Sequence, residues 1–155
     1  MLKLAKPPKI DTGRQNIPVL SVSPALSDHT ELERLLPRPQ WRVHRSSTVA
    51  SALTLLMELK TIALVVCERC LLTGTWQILL AQTALLPEPP FFIVSSRLAD
   101  DYLWAEALNL GAYDVLAKPF DSIELTRSLS FALLRSQRQR VIVSTLPIVT
   151  TAGAA

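Results

Sequence analysis

Residues 62–67 read Ile-Ala-Leu-Val-Val-Cys, an apolar run without polar alternation. A strand with one solvated face alternates apolar and polar residues, so an unbroken run is typical of a strand covered on both faces. Such strands lie inside parallel sheets that carry helices on both sides. The run therefore predicts a central strand of an α/β domain, and Glu68 follows its carboxyl end directly.

Shorter apolar runs alternate with helical patterns on both sides of this strand. The predicted strands are Pro18–Val22, Trp41–His44, Ile62–Cys67, Phe91–Val94 and Tyr113–Ala117. The predicted helices are about Ala25–Leu36, one from Ser47, one after Gly74 to about Leu85, Ala99–Leu110, and one from Phe120. Ser23 or Ser27 should cap the first of these helices, and Gly111 should end the fourth. Right-handed crossovers between such units predict a three-layer α/β sandwich.

Length and composition favour one folded unit. The chain has 155 residues, of which 49% are hydrophobic and 19% are charged, enough to bury one core. We expect a domain over residues 17–138 between tails at 1–16 and 139–155.

The sequence also bears on the location of the protein. No apolar run is long enough to span a membrane, and residues 1–16 lack the apolar region of a signal peptide. The chain has only two cysteines, which suits a reducing compartment. These features predict a cytoplasmic protein.

The formal net charge of +3 is weak evidence for nucleic-acid binding. The excess lies mostly near the chain ends, and no aromatic residues are interleaved with it as a stacking platform would require. We therefore expect no nucleic-acid partner.

Candidate site residues follow the predicted strands. In open parallel sheets, ligands bind at the carboxyl ends of the strands. The side chains to consider there are Ser23, Pro24, Glu68, Ser95, Ser96 and Lys118.

Two segments carry a family resemblance. Residues 111–120, Gly-Ala-Tyr-Asp-Val-Leu-Ala-Lys-Pro-Phe, resemble the end of the receiver domain of bacterial response regulators (CheY-like), and residues 63–68 resemble its third strand. Ser96 and Lys118 lie 28 and 50 residues after Glu68, intervals that fit the family. The resemblance implies a flavodoxin-like (βα)5 sandwich with strand order 2-1-3-4-5. It also implies Glu68 at the phosphoacceptor position, Ser96 as switch hydroxyl with Ser95 as a rival, and Lys118 as the phosphate-contacting lysine, usually followed by a cis proline.

The departures from the family pattern are decisive for function. Ser23 and Pro24 stand where the family has an acidic pair, and Glu68 replaces the aspartate. Magnesium is bound through carboxylates and water, so we expect neither metal nor other cofactor. The longer glutamate could approach Lys118 and Ser96 without phosphate and hold one fixed state. The sequence thus predicts a stand-alone degenerate receiver, not an enzyme, that acts by binding signalling proteins.

The sequence is compatible with several alternatives. Glu68 and Lys118 could be an ordinary ion pair, and Ser96 could satisfy local backbone groups. The domain could still accept phosphate, or Cys67 and Cys70 could act as a redox pair, although Cys67 should be buried in a strand. Zinc is not expected, because His29 and His44 lie far off and should be surface or edge residues.

The last helix offers a possible interface. Its core stripe should be Leu125, Leu129, Ala132 and Leu133. Phe131 and Leu134 then remain on the opposite side, with Trp104 on the preceding helix. The resemblance implies that the face made by helix four, strand five and helix five can form a homodimer; the alternative is that Phe131 covers the sheet edge.

Overall fold

Five strands and five helices alternate along the chain. The structure is a computed structural model that describes residues 16–36 and 38–145. The strands are β1 (Ile17–Val22), β2 (Trp41–Ser46), β3 (Leu64–Glu68), β4 (Phe91–Ser96) and β5 (Asp114–Ala117). The helices are α1 (Leu26–Leu35), α2 (Val49–Leu59), α3 (Trp76–Thr83), α4 (Asp101–Asn109) and α5 (Ser122–Thr145).

The sheet is parallel, with strand order β2-β1-β3-β4-β5. Its central strand β3 pairs with β1 on one side and with β4 on the other, and all five residues of β3 are buried. The flavodoxin-like (βα)5 sandwich predicted from the sequence is confirmed, because an unalternating apolar strand needs helices on both of its faces.

Alternate residues of the strands enter two separate cores. Leu20 and Val65 belong to the core under α2, α3 and α4. Val19 and Val66 belong to the core under α1 and α5. Successive side chains of a strand point to opposite faces, so the central strands serve both layers at once.

Most predicted element boundaries differ from the observed ones by one or two residues, at the ends of strands as well as of helices. Thr48, not Ser47, caps α2 and forms a capping box with Ser51. Neither Ser23 nor Ser27 caps α1, which begins after Ala25 without a side-chain cap. Gly111 follows α4 with φ +100, a backbone conformation that favours glycine, as predicted.

The predicted boundary between the domain and the C-terminal tail differs from the observed helix end. The boundary at residue 138 falls inside α5, because this helix continues to Thr145. Residues 1–15 and 146–155 of the two expected tails lie outside the described residues. Within the described ranges, no helix has both the length and the apolar character to cross a membrane.

The predicted core stripe of α5 is confirmed, since Leu125, Leu129, Ala132 and Leu133 are all buried. Phe131, on the same helix, is 57% exposed.

Leu129→Ala should lower the free energy of unfolding by about 2 to 5 kcal/mol, because it removes a fully buried side chain. Ile123→Ala, the control at a position of the same helix that is 69% exposed, should change it by less than about 1 kcal/mol. Urea unfolding of both variants tests this placement, and equal losses would contradict it.

Candidate functional site

The candidate site lies where the strands end. Ser23 follows β1, Glu68 and Ser96 end β3 and β4, and Lys118 follows β5. The structure brings two of these side chains into direct contact, because Lys118 Nζ forms an ion pair with Glu68 Oε2. They are 50 residues apart in sequence and come together because β3 and β5 both pair with β4. The Lys118-Pro119 peptide bond is cis, as the family resemblance implied.

A second carboxylate, which sequence reasoning missed, shares the same ammonium. Asp28 Oδ2 lies 2.8 Å from Lys118 Nζ and accepts a hydrogen bond from Ser23 Oγ at 2.6 Å. Asp28 belongs to the first turn of α1, which starts just beyond the end of β1. The only sequence signal was an acidic residue in that turn, and acidic residues are common there because of the helix dipole. The site therefore has an acidic group near β1 that comes from the helix.

The three charged side chains are largely shielded from water. Their exposed fractions are 10% for Lys118, 14% for Asp28 and 10% for Glu68. Burial alone would lower the pKa of Lys118, but the hydrogen bonds with Asp28 and Glu68 outweigh it and the pKa is raised. Lys118 is therefore an ammonium at neutral pH, held by two carboxyl groups.

Glu68 is held at both of its oxygens. While Oε2 pairs with Lys118, Oε1 accepts a hydrogen bond of 3.0 Å from the backbone N–H of Cys70. The carboxylate thus ties the loop after β3 to the residue that follows β5. A side chain with two such anchors has little freedom to leave the site.

Ser96 does not make the expected contact with Glu68. Its Oγ accepts a hydrogen bond of 3.1 Å from the N–H of Leu98, and in the described structure it contacts neither Glu68 nor Lys118 through a hydrogen bond. The backbone carbonyl of Ser96 does accept the N–H of Lys118 at 2.9 Å. The serine therefore satisfies the local backbone, which was the alternative interpretation. Its rival Ser95 is buried, and its carbonyl accepts the N–H of Arg69.

The two residues at the acidic-pair positions have different surroundings. Ser23 is buried, and its Oγ also accepts a hydrogen bond of 3.1 Å from the N–H of Ala25. Pro24 is partly exposed and has no carboxylate to offer. Ser23 therefore holds Asp28 in position, whereas Pro24 contributes only to the turn into α1.

His29 is buried, contrary to the expectation that both histidines are surface or edge residues. Its Nε2 donates to the carbonyl of Ser23 at 3.0 Å, and its Nδ1 lies 2.7 Å from Ser21 Oγ. A carbonyl oxygen can only accept, so the neutral ring carries its proton on Nε2 and accepts from Ser21. His44 is partly exposed on the edge strand β2, as expected.

The two cysteines are free and differ in environment. Cys67 is buried in β3, and this burial, aided by the charge of Glu68, raises the pKa of its thiol far above the ordinary value. Cys70 is exposed. A redox pair requires a thiolate, and burial of Cys67 disfavours one. Among the described residues, no three His, Cys, Asp or Glu side chains are grouped so that they could hold a metal ion.

The burial of His29 makes a prediction for acid stability. Burial lowers the pKa of this histidine, and the hydrogen bond to the Ser23 carbonyl offsets only part of that shift. The folded protein therefore binds the proton more weakly than the unfolded chain, so its stability is complete above about pH 6.5 and falls below it. A single histidine of lowered pKa can add a slope of at most about 1.4 kcal/mol per pH unit below about pH 6.5.

Unfolding by urea at several pH values measures this slope. His29→Gln should remove most of it, although the variant itself is less stable. His44→Gln should remove a smaller part, because burial also lowers the pKa of His44 but its ring is partly exposed on the sheet edge. An unchanged slope in His29→Gln would show that other groups cause the acid sensitivity.

Comparison with known proteins agrees with this architecture. No family model and no curated protein matches the chain. Many solved structures do match. The signal receiver domain of an HD domain-containing protein from Pseudomonas fluorescens superposes with a TM-score of 0.73 and 27% identity, over 81% of this chain and 93% of that one.

Two further receiver structures show the same fold at lower identity. The signal receiver domain of a protein described as a Luxo repressor from Vibrio parahaemolyticus gives a TM-score of 0.75 at 18% identity, over 82% of this chain and 97% of that one. A response regulator receiver domain protein from Clostridium thermocellum gives 0.71 at 18% identity, over 79% and 98%. The chain therefore has the receiver-domain fold of two-component response regulators.

Proposed function

We propose that this chain is a phosphorylation-independent protein-interaction module of a bacterial two-component-type signalling or regulatory system, working in the cytoplasm and without enzymatic activity. The observation that supports this proposal is the pairing of the Lys118 ammonium group with carboxylates of the chain itself. The sequence resemblance implies that this lysine contacts an acyl phosphate, but here Asp28 and Glu68 already hold its ammonium. A negative group supplied by the chain thus takes the place of one supplied by phosphorylation.

The acidic groups of the site do not suit magnesium. This ion is bound through one or two carboxylates together with waters and phosphate oxygens. Both carboxylates of the site are directed at Lys118, and an ammonium between them repels a divalent cation. Ser23 and Pro24 add no further carboxylate. Without a cation, charge on a transferring phosphoryl group would stay unneutralised, which opposes aspartyl-type phosphorylation.

A fixed set of contacts favours a single conformational state. Receiver switches depend on a ligand that binds two conformations with different affinity. Glu68 connects the loop after β3 with Lys118, and Asp28 connects the start of α1 with the same group. The chain's own side chains make all of these contacts, so the proposed state would not depend on a phosphoryl group.

Beryllofluoride with magnesium tests this proposal directly. Titrating both into the isotopically labelled full chain should give no saturable amide shifts at Glu68, Ser96 or Lys118, because the ammonium and both carboxylates are already paired. NMR at millimolar magnesium is the measurement. Saturable shifts at these three residues would instead assign the chain to the phosphate-accepting switches.

Glu68→Gln provides a second arm of the same experiment. The amide retains the shape of the side chain but loses its charge, so Lys118 should remain paired with Asp28 alone. We expect amide shifts in the loop after β3 and around Lys118. Unchanged spectra would contradict the role of Glu68 as an anchor, whatever beryllofluoride does.

We further propose a homodimer through α4, β5 and α5, in which Trp104, Phe131 and Leu134 take part. Trp104 is 41% and Phe131 57% exposed, large fractions for aromatic side chains, and Leu134 is partly exposed. Leu108, one turn after Trp104, is also exposed. Exposed Asp101 on α4 and exposed Arg127 on α5 could pair across two copies. An apolar centre with charged surroundings is typical of protein interfaces.

Analytical ultracentrifugation of the full chain measures this association. The native protein should dimerise with increasing concentration, and Phe131→Glu should weaken dimerisation by at least about tenfold, because it places a charge in the apolar centre. Ile78→Glu is the matched control, since Ile78 is 51% exposed on α3, outside this face. A monomer at all concentrations, or equal effects of both variants, would exclude this interface.

A further inference from the structure

The strand β2 forms one open edge of the sheet. In the described part of the chain it pairs only with β1. The carbonyls of Gln40 and Ser46 accept hydrogen bonds from Ile17 and Ser23, next to or within β1. Backbone groups of a strand alternate in direction, so the N–H and C=O of Trp41, Val43 and Arg45 point away from β1. This edge therefore offers a row of donors and acceptors suited to another strand.

The same edge carries a surplus of positive charge. Exposed arginines lie along the end of α1, the following loop and β2, namely Arg34, Arg38, Arg42 and Arg45. Glu33 pairs with Arg45 at 2.6 Å, and Glu31 lies 3.9 Å from Arg34. Among the described side chains of residues 16–36 and 38–134, neither Arg38 nor Arg42 forms an ion pair. Two guanidinium groups thus remain available for an external anion.

The two faces of the edge differ in chemistry. Val43 packs against the core under α1 and α5, and Arg45 is held by Glu33 of α1. Ser46 contacts Ser51 of α2, which places Arg42 and His44 on the α2 side by alternation. On the α1 side, the edge is therefore apolar at Val43, and Glu33 neutralises the charge of Arg45. On the α2 side, Arg42 is exposed and has no ion pair among the described side chains.

We propose that the β2 edge is a docking site for an extended acidic segment of a partner protein. The segment adds a sixth strand beside β2 and bonds with the outward backbone groups of Trp41, Val43 and Arg45. Carboxylates at alternate positions face Arg42 and His44, and the intervening apolar side chains face Val43. Backbone pairing supplies the attachment, and the arginine selects an acidic sequence.

The charges on the edge disfavour other occupants. A second copy that added its own β2 edge would bring equal arginines face to face, and such charges ordinarily prevent edge pairing. Residues 1–16 of the chain carry Lys3, Lys6, Lys9 and Arg14, which have the same sign. An acidic strand from another protein is the occupant that these charges favour.

A synthetic peptide of about seven residues, the usual length of a strand, tests the site. The probe alternates glutamate with valine, and two controls replace glutamate by lysine or methylate the backbone nitrogens that would pair with β2. Amide shifts in the labelled full chain should centre on Trp41, Val43 and Arg45, where hydrogen exchange should also slow. Neither control peptide should produce them. Shifts centred elsewhere, or equal binding of the methylated peptide, would overturn the proposal.

Charge-reversed variants complete the experiment. Arg42→Glu should weaken binding of the acidic peptide by about tenfold, because one attraction becomes a repulsion. Arg97→Glu, at an exposed position after β4, should leave it unchanged. Equal loss in both variants would indicate nonspecific attraction and overturn the proposal. Neither variant alters Glu68 or Lys118, so this result is independent of the magnesium and beryllofluoride titration.

Discussion

The ammonium of Lys118 connects three parts of the chain that the sequence keeps far apart. Asp28 brings the start of α1, Glu68 brings the end of β3, and Lys118 itself follows β5. A buried charge without a partner costs several kcal/mol, so each of these groups depends on the others. Loss of the amine would leave two carboxyl groups facing each other in a shielded site. The arrangement is therefore coupled across the sheet.

The position of α1 determines whether this coupling can form. His29 bonds to Ser21 and to the carbonyl of Ser23, which holds the first turn of α1 against the end of β1. Ser23 then donates to Asp28, whose carboxylate reaches Lys118. A buried polar network specifies one geometry only when its members have partners, and the side chains that link His29 to Lys118 all do. The helix thus supplies the acidic group that the end of β1 lacks.

The proposed docking site on β2 and the proposed dimer face of α4, β5 and α5 lie at opposite edges of the sheet. The strand order places β2 at one edge and β5 at the other. The β2 edge combines open backbone groups with unpaired arginines, whereas the side of α4 and α5 exposes Trp104 and Phe131. Because the central strands separate them, an acidic strand and a second copy would not compete for space. If both proposals hold, the domain can bind an acidic strand and a second copy at the same time.

The amino-acid sequence was sufficient to predict the alternation of strands and helices and to place Glu68 and Lys118 at the same edge of the sheet. Apolar periodicity is local, and parallel strands bring their carboxyl ends to one edge, so these features follow from spacing. The contact of Asp28 with Lys118 and the burial of His29 could not be predicted, because both depend on how α1 packs on the sheet. Asp28 lies 90 residues from Lys118, and its reach depends on how α1 is oriented on the sheet. The hydrogen bond that Ser96 Oγ accepts from the N–H of Leu98 was likewise not predicted. Such choices depend on packing between distant elements, which local patterns do not encode.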